Sequence, residues 1–242
     1  MNIDPRYVTD ESGAAKVDHP SKAGIPGWLP LREIAITLAM TTLVCAGFVM
    51  WLDIPIARAF DRWSTLPITD IFRLFTRAGH SAWWYTPAVI GVALSLWIAR
   101  ASANGALWRR RARALVFVIV SMASSAALVN ALKVAFGRYR PRLLFSDDLY
   151  GFAPFAINIK HAGFPSGHTQ SIVAAMVAFG FLFPRWRYAL WGFAAVVAAS
   201  RFTTAVHYAS DVIAGAVIAI LTAWTIKRYF ERNGVPVVWS EK

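Results

Sequence analysis

Six runs of apolar residues, each near the ~20 residues a helix needs to cross the hydrocarbon core of a bilayer, constrain this chain more than anything else in it. They lie at about 33–52, 82–99, 114–136, 166–183, 188–204 and 210–229. Inside lipid every backbone polar group must be bonded within its own segment, so the expected fold is all-α, a six-transmembrane helical bundle. The last three runs are short and joined by tight turns, which predicts a compact hairpin set. Between the first two, residues 54–63 and 68–78 mix apolar and basic side chains at helical spacing, which predicts helices lying in the interface.

Composition agrees. Of 242 residues 57% are hydrophobic and 16% charged, where a soluble domain would carry nearer a quarter charged. Residues 1–32 are polar, hold Pro5, Pro20, Pro26 and Pro30, and lack the apolar core and cleavage site of a signal peptide. They read as a disordered cytoplasmic tail ahead of one membrane domain over 33–230, with 231–242 as a second cytoplasmic tail. The net charge of +12 does not point to nucleic acid, because no basic stretch is interleaved with aromatics and basic loops are what the positive-inside rule demands. With the amino terminus inside, fifteen Lys and Arg fall in cytoplasmic segments and seven outside, once Lys133, Arg140 and Arg201 are set apart as intramembrane candidates. Both termini are therefore expected in the cytoplasm. Cys45 is the only cysteine, so no intrachain disulfide and no cysteine metal site is expected.

This orientation gathers the unusual polar residues at one face. Run three ends with Lys133 and, seven residues on, Arg140-Pro141; run four opens with Pro165-Ser166-Gly167-His168; run five ends with Ser200-Arg201; His207 and Asp211 follow at the start of run six. Ionisable groups at such depth are costly and usually functional. His207 and Asp211, four apart, share a helix face, so the carboxylate can hold one ring nitrogen and leave the other free to attack. Ser166 is a good N-cap, and the amides behind it, Gly167 included, form an anion site. Three cations, a helix start, two histidines and a carboxylate are what phosphoryl transfer asks for. In that reading His207 attacks phosphorus, Asp211 activates it and His168 protonates the departing oxygen. Lys133, Arg140, Arg201, Ser166 and the Gly167 amide then hold the phosphate.

Taken together, Lys133-x6-Arg140-Pro141, Pro165-Ser166-Gly167-His168 and Ser200-Arg201-x5-His207-x3-Asp211 resemble the three-part signature of the type 2 phosphatidic acid phosphatase superfamily, in order and without a departure over residues 133–211. The resemblance implies a metal-independent lipid phosphatase, without cofactor, that works through a phosphohistidine. It also implies kinship with vanadium-dependent haloperoxidases, whose soluble bundles make a vanadate-dependent oxidase a poor match for six spans. The expected substrate is a phosphomonoester or pyrophosphate of a membrane lipid: phosphatidic acid, phosphatidylglycerol phosphate, undecaprenyl pyrophosphate or lipid A. A non-enzymatic lipid-binding or lipid-translocating protein on the same bundle is the alternative, and loss of a histidine or of Asp211 would have favoured it. The short loops fit a bacterial inner membrane with the site facing the periplasm; an endoplasmic reticulum protein with a lumenal site is the other arrangement. Oligomeric state is not written in the sequence.

Two neighbouring features admit bland readings. Asp147, Asp148 and His161 suit a solvated turn better than a metal site. The apolar stretch Leu143 to Phe164 either dips into the outer leaflet or caps the helix ends.

Overall fold

A computed structural model describes residues 7–9, 15–17, 31–63, 65–156 and 161–239, and the chain divides into two compact units, Met1–Leu31 and Arg32–Lys242. In the first unit the described residues form a short antiparallel pair, β1 (Tyr7–Thr9) with β2 (Ala15–Val17), Tyr7 opposite Val17. Of the tail expected over 1–32, Leu31 and Arg32 open the first helix, and the residues other than these and the two strands lie outside the described ones.

The second unit is helical. α1 (Leu31–Gly47) runs through one π turn, Phe48–Leu52, into α2 (Asp53–Arg62). α3 (Pro67–Thr76) begins on a proline, whose fixed φ suits the first helical position, and leads through a 3-10 turn, Arg77–Gly79, to α4 (Ala82–Ala101). α5 (Gly105–Phe136) ends at Gly137, which adopts φ +57° and donates its amide to the Lys133 carbonyl. A side chain at 137 would collide with the Ala153 carbonyl, so the left-handed cap and the loop crossing it both require glycine. Short α6 (Pro141–Asp147) precedes α7 (Gly167–Leu182), α8 (Arg187–Thr203) and α9 (Ala209–Arg232).

All six apolar runs are thus helical. Among the described residues four stretches are long and apolar enough to cross a membrane: Leu31–Arg62, Pro67–Ala101, Gly105–Phe136 and Ala209–Arg232. α7 is apolar but shorter, at 16 residues, and α8 has 17.

α7 forms the centre, with twelve of its sixteen residues buried. Around it pack Phe117, Val118 and Met122 of α5, Val197 of α8, and Ala219 and Ala223 of α9. Its Ala174, Ala175 and Ala178 let neighbouring backbones come close, as helix packing in lipid prefers. One polar tie fixes α7 against α5: the buried Gln170 amide donates to the Met122 carbonyl at 3.1 Å and to Ser125 Oγ at 2.6 Å. α1 stands apart, burying only Cys45 and turning Met40, Leu43 and Val44 outward. At the other end of the chain, residues 235–239 fold back rather than trailing free. Val237 is buried, and Trp239 packs on Phe183 at 5.4 Å and under the Arg111 guanidinium at 5.6 Å.

Candidate active site

His207 sits in the turn between α8 and α9, three per cent exposed. The turn is made by α8 unwinding, with the Val206 and His207 amides both donating to the Arg201 carbonyl at 3.1 Å. The His207 Nδ1 lies 2.8 Å from the Gly163 carbonyl oxygen. A carbonyl only accepts, so Nδ1 carries the proton and Nε2 keeps its lone pair. Asp211 contributes differently from the sequence expectation: its Oδ2 is 3.4 Å from Nδ1, a charge alongside the ring rather than its closest hydrogen-bond partner. Burial pushes His207 down to about 4, Asp211 opposing the shift and Lys133 adding to it, so the ring is neutral at physiological pH.

Asp211 is occupied elsewhere. Its Oδ2 accepts from the Tyr208 amide at 2.9 Å, capping α9, and its Oδ1 accepts from Arg138 at 2.6 Å. Arg138, one of the seven basic residues that the charge count assigns to the outside segments, is wholly buried. It also donates to Ser210 Oγ at 2.6 Å, to Asp53 Oδ2 at 2.8 Å and to the Tyr150 hydroxyl at 3.1 Å. Asp53, equally buried, accepts from the Ser210 amide at 3.1 Å and from Ser210 Oγ. The Tyr150 hydroxyl donates a hydrogen bond to the Val49 carbonyl at 2.6 Å. A charge relay therefore runs from the start of α2 through the loop after α5 to the start of α9, and α2 is more than a helix at the interface.

Three further cations surround the histidine. Lys133 Nζ donates to the Ala162 carbonyl at 2.7 Å and Arg140 approaches the same oxygen at 3.4 Å, which brings the two ends of the Lys133-x6-Arg140 spacing together. Arg201 donates to Thr76 Oγ1 at 2.6 Å, and that hydroxyl lies 2.8 Å from Ser200 Oγ, so the end of α3 steadies the end of α8. Unlike Arg138, none of these three has a carboxylate partner among the described residues. Arg140 Nε and Arg201 Nε are buried donors without an acceptor there. Burial lowers the Arg140 guanidinium from its ordinary value, with Asp211 opposing. Unspent donors of this kind suit an anion.

At the head of α7, Ser166 Oγ accepts from the Thr169 amide at 3.4 Å and the Thr169 hydroxyl at 3.0 Å; the predicted cap forms, and the Ser166 side chain is spent chiefly on it. The Ser166 amide donates to the Asp211 carbonyl at 2.9 Å, which ties α7 to α9. Behind the cap, the Gly167 and His168 amides belong to the first turn, where helix donors lack intrahelical acceptors. His168 lies within electrostatic reach of Arg201, His207 and Arg140. Its ring rests against Gly79, where an added Cβ would stand 3.1 Å from the His168 Cβ and Cδ2.

All eight sequence-derived site residues thus lie at one end of the bundle. Sequence reasoning missed Asp53, Thr76, Arg138 and Tyr150, whose partners are distant in the chain; a buried-type Asp beside an apolar run was the only available signal for Asp53. Along α6 and the loop after it, Leu144 is buried under Tyr208 while Phe145, Leu149, Phe152 and Phe155 are exposed, so that stretch both caps and protrudes; Ile157 lies outside the described residues. Asp148 ends α6 in a left-handed turn and His161 lies against Tyr139 at 5.0 Å. Among the described residues no three His, Cys, Asp or Glu side chains cluster as metal ligands would.

The chain is similar to known proteins over most of its length. A lipid A 1-phosphatase of Rhizobium johnstonii is 33% identical over 225 residues, 88% of this chain and 89% of that one. A second, from Rhizobium etli, is 31% identical over 194 residues, 77% of this chain and 80% of that one. Among solved structures, a transmembrane PAP2-type phosphatidylglycerolphosphate phosphatase from Bacillus subtilis superposes with a TM-score of 0.61 at 21% identity, over 82% of this chain and 96% of that one. Aquifex aeolicus LpxE does so with 0.54 at 19%, over 72% and 94%. These likenesses and the apolar helices make this an integral membrane protein. Residues 114–234, half of the chain and the stretch that carries every signature residue, match the family model, and the protein belongs to the PAP2 superfamily.

Proposed function

We propose that this protein is a metal-independent lipid phosphatase that removes a phosphate from a lipid A-type glycolipid through a phosphohistidine. One observation carries the chemistry: Nδ1 of a buried, neutral His207 is bonded to the Gly163 carbonyl, which leaves Nε2 as a nucleophile amid three cations with no carboxylate of their own. The substrate reading rests on the two Rhizobium relatives, which align over most of both chains. Phosphatidic acid, phosphatidylglycerol phosphate and undecaprenyl pyrophosphate are the substrates it must outrank.

In the first step the Nε2 lone pair forms a bond to phosphorus while the bond to the leaving oxygen breaks, and His168 gives that oxygen a proton. Lys133, Arg140, Arg201 and the amides at the head of α7 hold the equatorial oxygens, where charge accumulates. The imidazole becomes cationic as it bonds, and Asp211 at 3.4 Å stabilises that charge. The phosphate dianion itself offsets the cations around His168 and so favours the protonated acid in the complex. In the second step His168, now neutral, takes a proton from water, the water oxygen bonds phosphorus, and the N–P bond breaks to restore His207.

In this reading the bundle has six spans in a bacterial inner membrane, with both termini cytoplasmic and the site facing the periplasm. This is supported by the excess of basic residues in the sequence segments assigned to the cytoplasmic side, fifteen against seven. The test is phosphate release by detergent-solubilised protein, in EDTA, from lipid A, phosphatidic acid, phosphatidylglycerol phosphate and undecaprenyl pyrophosphate. We expect release from lipid A above the others, and none from His207→Ala or His168→Ala. Acid-labile label from a radioactive phosphate donor should be trapped on the wild type and absent in His207→Ala. Phospholipid binding without phosphate release from well-folded protein would instead support the lipid-translocating alternative.

A further inference from the structure

Beside His168 lies a recess of about 230 Å³ between the turn before α4, the outer part of α5 and the start of α7; neither His207 nor any of the three phosphate-holding cations lines it. His80, at the end of that turn, is exposed, yet its ring meets the half-buried His168 ring edge-on at 5.3 Å. The backbone fixes this contact. The His80 amide donates to the Arg77 carbonyl at 3.1 Å, and its carbonyl accepts from the Trp83 amide at 3.2 Å. Trp84 Nε1 donates to the Ala78 carbonyl at 2.7 Å, and Gly79 lies so close that a Cβ there would stand 3.1 Å from the His168 ring. Just before the turn, Thr76 is bonded to Arg201. Tyr85 of α4 also borders the recess, and Arg140, Arg201 and His207 lie within electrostatic reach of His168.

The hydrolysis leaves a proton to be carried. In its second step His168 takes a proton from water. Once phosphate departs, that proton is held beside Arg140 and Arg201 with no anion to balance the three charges, so the ring gives it up. Docking of the next substrate restores the balance, and one proton must return to His168 before the leaving oxygen can depart as an alcohol. One proton out and one proton in per turnover leaves the overall reaction unchanged. His207 offers no path, because it is buried and its Nδ1 proton is bonded to the Gly163 carbonyl. The recess has room for roughly seven waters, and imidazole is the side chain suited to passing protons near neutral pH. We infer that His80 is a proton-relay residue acting through His168: its exposed ring takes up a proton at the outer end of the recess and hands it through water to the His168 ring, and the same path runs in reverse when phosphate leaves. His80 touches neither phosphorus nor the leaving oxygen; it positions a proton. The inference extends the phosphatase reading and rests on the acid role of His168.

The experiment compares the full-length wild type with His80→Phe, which keeps a ring and loses both nitrogens, and with His80→Gln, in dilute buffer near neutral pH with and without added imidazole. Two substrates are used in one detergent. The first is whichever lipid of the four-lipid panel the wild type hydrolyses fastest, whose leaving oxygen needs a proton; the second is p-nitrophenyl phosphate, whose phenolate leaves without one. We expect kcat on the lipid to fall about tenfold in both variants and added imidazole to restore it to within about twofold of wild type. Hydrolysis of p-nitrophenyl phosphate should change by less than about twofold, and the wild type should gain little from imidazole. A loss that imidazole does not restore, or a loss equal on both substrates, would assign His80 to packing against His168 and overturn the relay. Variants as active on the lipid as wild type in dilute buffer would overturn it too. Lipid hydrolysis that survives His168→Ala overturns the acid role and the relay together while sparing the nucleophile. A wild type inactive on every lipid of the panel overturns the lipid phosphatase reading and the relay with it.

Discussion

Replacing Asp53 with Ala tests the buried relay behind the nucleophile. In the intact protein Arg138 is wholly buried, bonded to Asp53 at 2.8 Å and to Asp211 at 2.6 Å, so one cation is shared by two carboxylates. Removing Asp53 strips one carboxylate from Arg138 and leaves the Ser210 amide without its acceptor. Breaking a buried ion pair by deleting one partner costs about 3–5 kcal/mol, and a buried amide left unbonded adds about 1–3 kcal/mol. Water entering the gap left by the side chain relieves part of this, so we expect a net loss of about 3–5 kcal/mol in unfolding free energy. Activity should fall further than stability explains, because Arg138 is then free to pull Asp211 from its place beside His207. The assay is denaturant unfolding in detergent micelles, paired with phosphate release at a temperature where the variant remains folded. A double-mutant cycle with Arg138→Met separates coupling from general damage: the double variant should be less destabilised than the two single losses added together. Asp53→Ala within about 0.5 kcal/mol of wild type and fully active, or strict additivity in the cycle, would refute the relay.

Two other outcomes are expected. Since His207 must be neutral to attack and burial has moved it down to about 4 from an ordinary 6.5, its neutral form persists on acidification well past the usual histidine range. The acid limb that His207 imposes on kcat/KM should therefore lie near pH 4, and a His207-dependent fall centred near 6.5 would contradict its burial. Thr76→Val removes the hydroxyl that accepts from Arg201, a bond to a charged group worth about 1.5–3 kcal/mol. Phosphate release should lose about ten- to hundredfold in kcat/KM, and Thr76→Ser should restore it.

The sequence alone determined where the apolar helices run and marked the eight residues that the structure gathers at one end of the bundle. Helix positions were legible because lipid forces each apolar run to satisfy its own backbone, so run length is nearly structure. Lys133, Arg140, Arg201, His168, His207 and Asp211 were legible because charges in apolar runs are too costly to be incidental, and Ser166-Gly167 because a serine followed by glycine marks a helix start. Tertiary structure alone decided how those groups are held. Arg138 reads in sequence as one more loop cation, and only its burial between Asp53 and Asp211, 85 and 73 residues away in the chain, makes it the centre of a relay. The proton on Nδ1 of His207 was likewise undecided until the turn brought in the Gly163 carbonyl, 44 residues distant, ahead of the carboxylate four residues on. Local spacing constrains which groups share a helix face; which partner completes each hydrogen bond is settled by segments that meet only when the bundle has packed.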